Sequence, residues 1–437
     1  MKRDEYLNSV CQEVRFKAAR KYLKAELSTH IDDKAAELEQ SGVADAESEA
    51  IKAMGDPVQT GRALNAVHKP RVEWGVIVCV LLLTVAGITL SVMSMYAMDI
   101  DVSYIAGTYY FEWIMLAVSL TSMVLLIFAD YRRLGRLRYA CFGMGLTFIA
   151  AYLVFTFLYP HLDFTATGLT SASPVSADYG VILTALKLKK IVSAVSSVLF
   201  LFGTTGFLNR HRHWRNTDLA LLLGCLIATV CAVSIVSFQF ALLTVMTELV
   251  MMLVSLTHNT LRKTKKWRFA LISIAAAAGP LALYMLLLPQ PETAGRDVLS
   301  MMFPGAATDS AFQQFIQPSI TDNTATAAFK AYGWLFSLVG SLIFLLMLVL
   351  LVRRSLNVTD SLGRTLTLGI STFFIMRCLL GILSVLGVTG PLAAGIPFIS
   401  DGPASFLLDA LLIGMFLSVW RRSSFMHYRE AENLMTA

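Results

Sequence analysis

Residues 319–344, SITDNTATAAFKAYGWLFSLVGSLIF, decide how this chain folds. An apolar run begins near Ala331 and continues to Val352. That length suits the roughly 30 Å hydrocarbon core of a bilayer, which about twenty apolar residues cross as a helix. Thr321 and Asp322 stand just ahead of it, and the apolar run upstream ends at Pro289, so residues 290–330 form the longest stretch between spans. A lone carboxylate where the chain re-enters the bilayer is costly, and its residue is a functional candidate by default.

The same pattern extends in both directions. Of the 437 residues, 56% are hydrophobic, above the roughly 45–50% of soluble domains, and the mean hydropathy is +0.63. About ten spans are predicted, at 73–96, 108–129, 139–159, 190–208, 217–236, 239–256, 269–289, 331–352, 365–387 and 404–420. This is an all-α, polytopic membrane protein. Alternate loops are basic: Arg132, Arg133, Arg136 and Arg138; Arg210, Arg212 and Arg215; Arg262 to Arg268; Arg353, Arg354 and Arg364; Arg421 and Arg422. Cytoplasmic loops carry such excess, so both termini are expected in the cytoplasm. The net charge of +6 resides mostly in these short loops, which argues against nucleic acid as a partner.

The opening MKRDEYLNSVCQ lacks the apolar core and cleavage site of a signal peptide, so nothing is expected to be removed. The six cysteines are Cys11, Cys79, Cys141, Cys225, Cys231 and Cys378; none has metal-ligand spacing or sits in a long outer loop, so neither a disulfide nor a metal site is expected.

Residues 1–71 are charged and carry apolar residues at helical steps: Tyr6, Leu7, Val10, Val14, then Tyr22, Leu23, Leu27 and Ile31. Gly42 ends that pattern, a short helix covers 44–54, and Gly55-Asp56-Pro57 punctuates before another around 59–68. A small amphipathic helical domain is expected, followed by the membrane domain 72–422 and a tail, 423–437. His30, Asp32 and Asp33 read as a solvated helix face rather than a metal site.

Within the membrane domain, Lys187, Lys189 and Lys190 stand at the outer end of the fourth span, against the charge rule. They either snorkel to lipid headgroups or provide cations for a phosphate-bearing lipid. Glu248, Arg377 and Asp409 lie well inside predicted spans, where charges face the bundle interior and pair with one another; a Glu248 to Arg377 pair is expected.

Four features together resemble the shape, elongation, division and sporulation (SEDS) family, which includes FtsW, RodA and SpoVE. They are the ten-span topology with a large loop between spans seven and eight; FADYRRLGRL (128–137), similar to the family's "DYR.L" turn; SITDNTATAAFKAYGWLFSLVGSLIF, similar to "hTDFIFAviaEElGfiGal"; and GIPFISDGPASFLLDALLIGMFLSVWRR (395–422), similar to "GipLPFiSyGGssllsnllalGlll". Ahead of them, YLKAELSTHIDD (22–33) and EAIKAMGDPVQTGRALNAVHKP (49–70) resemble the permease prefix domain of bacterial membrane proteins, which implies a regulatory or contact role for residues 1–71 with an unknown cytoplasmic partner.

The SEDS resemblance implies a glycosyltransferase of the bacterial plasma membrane. Such enzymes polymerise peptidoglycan from undecaprenyl-pyrophosphate-linked disaccharide (lipid II) with a class B penicillin-binding-type transpeptidase as partner. It places Asp322 at the catalytic aspartate position. A carboxylate in a partly desolvated pocket is suited to deprotonating the acceptor hydroxyl. Thr321, Ser400 and Arg377 join Lys187, Lys189 and Lys190 as the substrate-binding candidates, and the pyrophosphate is neutralised by these lysines or by a divalent cation; no other cofactor is implied. Gly395, Pro397, Gly402 and Pro403 shape a re-entrant outer loop. The family's "QpDlGTa" is replaced by SFQFALLTV (237–245), its paired acids by Phe329-Lys330-Ala331, and "SyGGSS" by SDGPAS. Two other readings stand beside this one: a non-catalytic relative acting as membrane scaffold or sensor, and a lipid or small-solute transporter.

Overall fold

The computed structural model describes residues 2–43, 45–67, 72–96, 102–158, 177–210, 224–229, 232–233, 238–258, 324–358, 360–385, 397–398 and 403–423. They are helical throughout apart from turns and short connections. Two compact units emerge: one runs to Val72, with the chain from Trp420 grouped with it, and the other comprises Glu73–Val419.

The first unit holds α1 (Arg3–Glu13), α2 (Lys17–Gln40), α3 (Ala46–Ala53) and α4 (Pro57–Val67). Its core takes up most of the stripe read from sequence: Tyr6, Leu7, Val10, Leu27 and Ile31 pack with Ala50 and Ile51 of α3, and Val14 and Leu23 cluster with Ala19. The three- and four-residue steps run through a break, however. Val14 is extended (φ −82°, ψ 112°) and α2 begins only at Lys17. Neither Gly nor Pro announces that break; it follows from folding one apolar stripe back on itself. Gly42 and Gly55 take φ of +80° and +82°, the left-handed conformation that ends helices. Asp56 accepts a hydrogen bond from the Gln59 N–H at 2.9 Å, and Pro57 opens α4, where its missing N–H costs nothing. Asp32 is not merely solvated. It forms an ion pair with Arg3 at 2.6 Å, and that hydrogen bond holds its carboxyl below the ordinary range.

The second unit contains α5 (Trp74–Tyr96), α6 (Val102–Phe128), α7 (Tyr131–Arg136), α8 (Arg138–Leu158), α9 (Ala177–Arg210), α10 (Phe238–His258), α11 (Thr324–Leu356), α12 (Ser361–Val385) and all but the last three residues of α13 (Pro403–Arg422). Eight of the ten predicted spans lie on these helices, one each on α5, α6 and α8 to α13. The fifth is described only at 224–229 and 232–233, and the seventh, 269–289, lies outside the described residues. Among the described residues, Arg138–Leu158, Ile191–Leu208 and Leu338–Leu356 are long and apolar enough to cross a membrane, with shorter apolar helices at Trp74–Thr89, Trp113–Phe128 and Phe240–Leu253.

Burial sorts these helices. The α9 span is 83% buried, whereas those of α8 and α11 are 22% and 28% buried. Central α9 packs against α7, α8, α10 and α12; α11 packs on α5 and α12. Leu342, Leu345, Leu346, Val154 and Phe157 are exposed. In a soluble protein such surface would be a liability, but in a bilayer it is the lipid-facing side. The interior carries small hydroxyl residues instead, among them Ser193, Ser196, Ser197, Thr204 and Thr205 of α9. Most bond a carbonyl one turn back, which hides the hydroxyl and lets helices approach closely. The α8–α9 contact shows the fit: a Cβ on Gly203 would lie 2.6 Å from the Phe142 ring.

Two helices outrun their apolar segments. With 34 and 33 residues, α9 and α11 are each roughly 50 Å long at about 1.5 Å per residue, well beyond the bilayer core. Hydropathy marks where a span must lie, but backbone hydrogen bonding carries a helix on into water. Consequently α11 begins at Thr324, about two turns ahead of the predicted boundary at Ala331, and Lys187, Lys189 and Lys190 lie along α9 rather than at its end.

Candidate functional site

The charged centre of the membrane unit is built at the start of α13. Pro403 opens that helix, and six residues on it presents Asp409, which is fully buried. On α12, Arg377 is 4% exposed and its Nη1 donates to Asp409 Oδ1. The other carboxylate oxygen, Oδ2, accepts the backbone N–H of Phe398 at 2.9 Å. Phe398 is itself buried and has φ +63°, a left-handed conformation that bulky residues rarely adopt. One carboxylate therefore joins two helices and holds a strained turn, Pro397-Phe398, in the stretch with the family-like motif. A desolvated pair of this kind is strongly destabilising to break, because the remaining charge stays buried.

The expected Glu248 to Arg377 pair is corrected here: Arg377 is engaged by Asp409. Glu248 on α10, also fully buried, instead meets Thr204 Oγ1 of α9 at 2.7 Å and Thr229 Oγ1 at 3.2 Å. Sequence reading singled out Glu248 but missed both threonines and Phe398. The threonines had a signal, as polar residues inside the apolar runs FLFGTTGF (200–207) and GCLIATV (224–230). Phe398 had none, since its role lies in its backbone.

A second polar junction lies at the DYR turn. Tyr131 is buried and donates its hydroxyl to Asp360 Oδ2 at 2.8 Å; the same oxygen accepts the Gly363 N–H at 2.9 Å, capping α12. Burial and the neighbouring carboxylate push the Tyr131 phenol well above its ordinary pKa, so it remains a donor. Asp130 turns the chain by accepting the Arg132 N–H at 3.1 Å. The motif thus ties the α6–α8 connection to the start of α12. Glu73, just ahead of α5, pairs with Arg354 of α11 at 2.9 Å.

The remaining sequence candidates are placed as follows. Thr321, Asp322 and Ser400 lie outside the described residues. Lys187, Lys189 and Lys190 are on α9, and Lys189 is half-buried. In helical register positions 187 and 190 share a face, whereas 189 falls about 100° or more from either. The three lysine positions do not form one face. Among the described residues no group of three or more His, Cys, Asp or Glu could hold a metal ion.

Fold and interior together define an all-α polytopic membrane protein, with polar junctions inside a lipid-facing shell. Its fold is that of RodA. The chain is similar to the rod shape determining protein RodA of Thermus thermophilus at 18% identity and TM-score 0.51, over 80% of this chain and 97% of that one. A point mutant of that RodA gives 17% and 0.51 over the same shares. A third structure, described as "Structural coordination of polymerization and crosslinking by a peptidoglycan synthase complex", matches at 19% and 0.53, over 80% of this chain and 98% of its own. No protein-family model matches the chain, and no curated protein does.

Proposed function

We propose that this protein belongs to the SEDS family and works in peptidoglycan synthesis as a lipid-II-using glycosyltransferase at the outer face of the bacterial plasma membrane. The observation that carries this reading is the likeness in fold along nearly the whole of RodA, 97% of that chain, joined to the motif resemblances at 128–137, 319–344 and 395–422. Identity of 18% leaves the chemistry to be argued from residues.

In this reading Asp322, two residues ahead of α11, removes the proton from the acceptor hydroxyl as the sugar leaves its lipid pyrophosphate. Thr321 and Ser400 contact the substrate. Lys187 and Lys190, sharing a face of α9, meet the pyrophosphate, with a divalent cation as the alternative source of charge; Lys189 points elsewhere on the helix and takes a lesser part. Arg377 serves through Asp409, setting the Pro397-Phe398 turn that precedes Ser400. Both termini are cytoplasmic, and residues 1–71 contact a cytoplasmic partner as a permease-prefix-like domain. A class B penicillin-binding-type transpeptidase is the membrane partner, in keeping with the complex named among the similar structures.

The test is polymerisation of labelled lipid II by the purified full chain, with and without a co-expressed transpeptidase, comparing wild type with Asp322→Asn. Glycan strands made by the wild type and lost in the variant support the proposal. Folded wild-type protein that makes none under either condition overturns it and favours a scaffold or sensor.

A further inference from the structure

Glu248 is used by neither the proposed chemistry nor the Arg377–Asp409 junction, and its surroundings allow a count of protons. Thr204 Oγ1 lies 2.7 Å from Glu248 Oε1, Thr229 Oγ1 lies 3.2 Å from Glu248 Oε2, and Thr229 Oγ1 lies 2.8 Å from the Leu226 carbonyl oxygen. A threonine hydroxyl has one proton to donate and lone pairs with which to accept. The Leu226 carbonyl can only accept, so the shorter of the two Thr229 contacts takes the Thr229 proton. That leaves the Thr229 oxygen facing Glu248 Oε2, two acceptors with no hydrogen between them unless Glu248 supplies it.

We infer that Glu248 is a proton-binding site, a neutral carboxylic acid whose Oε2–H donates to Thr229 Oγ1 while Oε1 accepts from Thr204. Every proton is then used once along a directed chain: Thr204 hydroxyl to Oε1, Oε2–H to Thr229 Oγ1, and Thr229 hydroxyl to the Leu226 carbonyl. The electrostatics agree. Among the described residues no Lys, Arg or His forms an ion pair with Glu248, and an ionised carboxylate buried without a cation is far costlier than a hydrogen-bonded neutral acid.

The groups that face it can be named element by element. From 224–229 come the Thr229 hydroxyl and the Cys225 thiol. From α9 comes the hydroxyl of Thr204, with Lys187, Lys189 and Lys190 about three or more turns away along the helix. From α12, which meets α10 so closely that a Cβ on Gly369 would crowd Met251, the charged residues are Arg364 and Arg377, the latter held by Asp409. The ligand is thus a single proton, and the place where it acts is the crossing of α9 and α10. Losing it would put a charge between two central helices, so its occupancy is coupled to their packing. This inference does not depend on the glycosyltransferase reading.

The test uses the purified full chain in detergent. Glu248→Gln preserves the pattern, because its amide N–H replaces the acid O–H toward Thr229 and its carbonyl accepts from Thr204. The variant is expected to melt with the wild type at neutral pH and to lose the wild type's fall in melting temperature as pH rises. Thr229→Val, which removes the acceptor, is expected to melt lower. Should Glu248→Gln fail to fold, infrared spectroscopy of the wild type decides. A protonated-carboxyl carbonyl band at neutral pH that shifts in Thr229→Val supports the inference, and absence of that band overturns it. A folded Glu248→Gln protein that melts well below wild type at neutral pH overturns it too, as does stabilisation of the wild type by sodium over potassium ions, since either requires an ionised carboxylate.

Discussion

Replacing Asp409 with alanine tests the centre of the membrane unit. The substitution leaves the Arg377 guanidinium buried beside an empty position and deprives the Phe398 N–H of its acceptor. Removing one partner of a buried ion pair costs about 3–5 kcal/mol. An unpaired buried amide adds on the order of 1–3 kcal/mol when counted alone, though part of that overlaps with the first figure. Relaxing Phe398 from φ +63° returns roughly 1–3 kcal/mol of backbone strain, so the balance is a net loss of about 3–5 kcal/mol. Against a typical total stability of about 5–15 kcal/mol this is large. Thermal melting of the full chain in detergent should therefore fall steeply for Asp409→Ala. The double variant Arg377→Met with Asp409→Leu separates charge from positioning. Apolar replacement of both partners is often close to neutral for stability, so melting should recover. Lipid II polymerisation should not, because Phe398 still has no acceptor and its turn is released. An Asp409→Ala protein that melts with the wild type would refute the reasoning, and full activity in the double variant would show that the turn needs no lock.

Two further expectations follow from the junctions. Tyr131→Phe keeps the ring but removes the hydroxyl that reaches Asp360; a hydrogen bond to a charged acceptor contributes about 1.5–3 kcal/mol, so the variant should show a modest drop in melting temperature, and an unchanged value would deny the link. In the first unit, Arg3 holds the Asp32 carboxyl below its unfolded pKa, so the pair's contribution is fully present above about pH 4 and is lost as pH falls through the lower folded value. Hydrogen exchange of the α1 amides in the full chain should quicken in that acid window for the wild type, by a small factor since the pair is exposed, and Asp32→Asn should lack that component.

Much of this molecule was legible in the order of its residues. Apolar runs of bilayer length placed eight helices of the membrane unit, because a segment entering hydrocarbon must satisfy its backbone internally and the helix does so within one segment. The stripe Tyr6, Leu7, Val10, Leu27 and Ile31 likewise predicted the core of the first unit. Local chemistry at Gly42, Gly55 and Pro57 marked helix ends.

Tertiary structure decided the rest, where a choice depended on which side chains met across helices. Three buried charges invited a Glu248 to Arg377 pair, yet Asp409 received the arginine and Glu248 received hydroxyls, since partners are selected by facing and distance rather than by charge alone. The reach of α9 and α11 beyond their apolar runs was equally hidden, because helix continuation is a backbone property that hydropathy does not report. Phe398 shows the limit most clearly. Its left-handed φ goes with a bond from its N–H to Asp409, eleven residues on and on another element, and no pattern in the sequence records a bond made by the backbone.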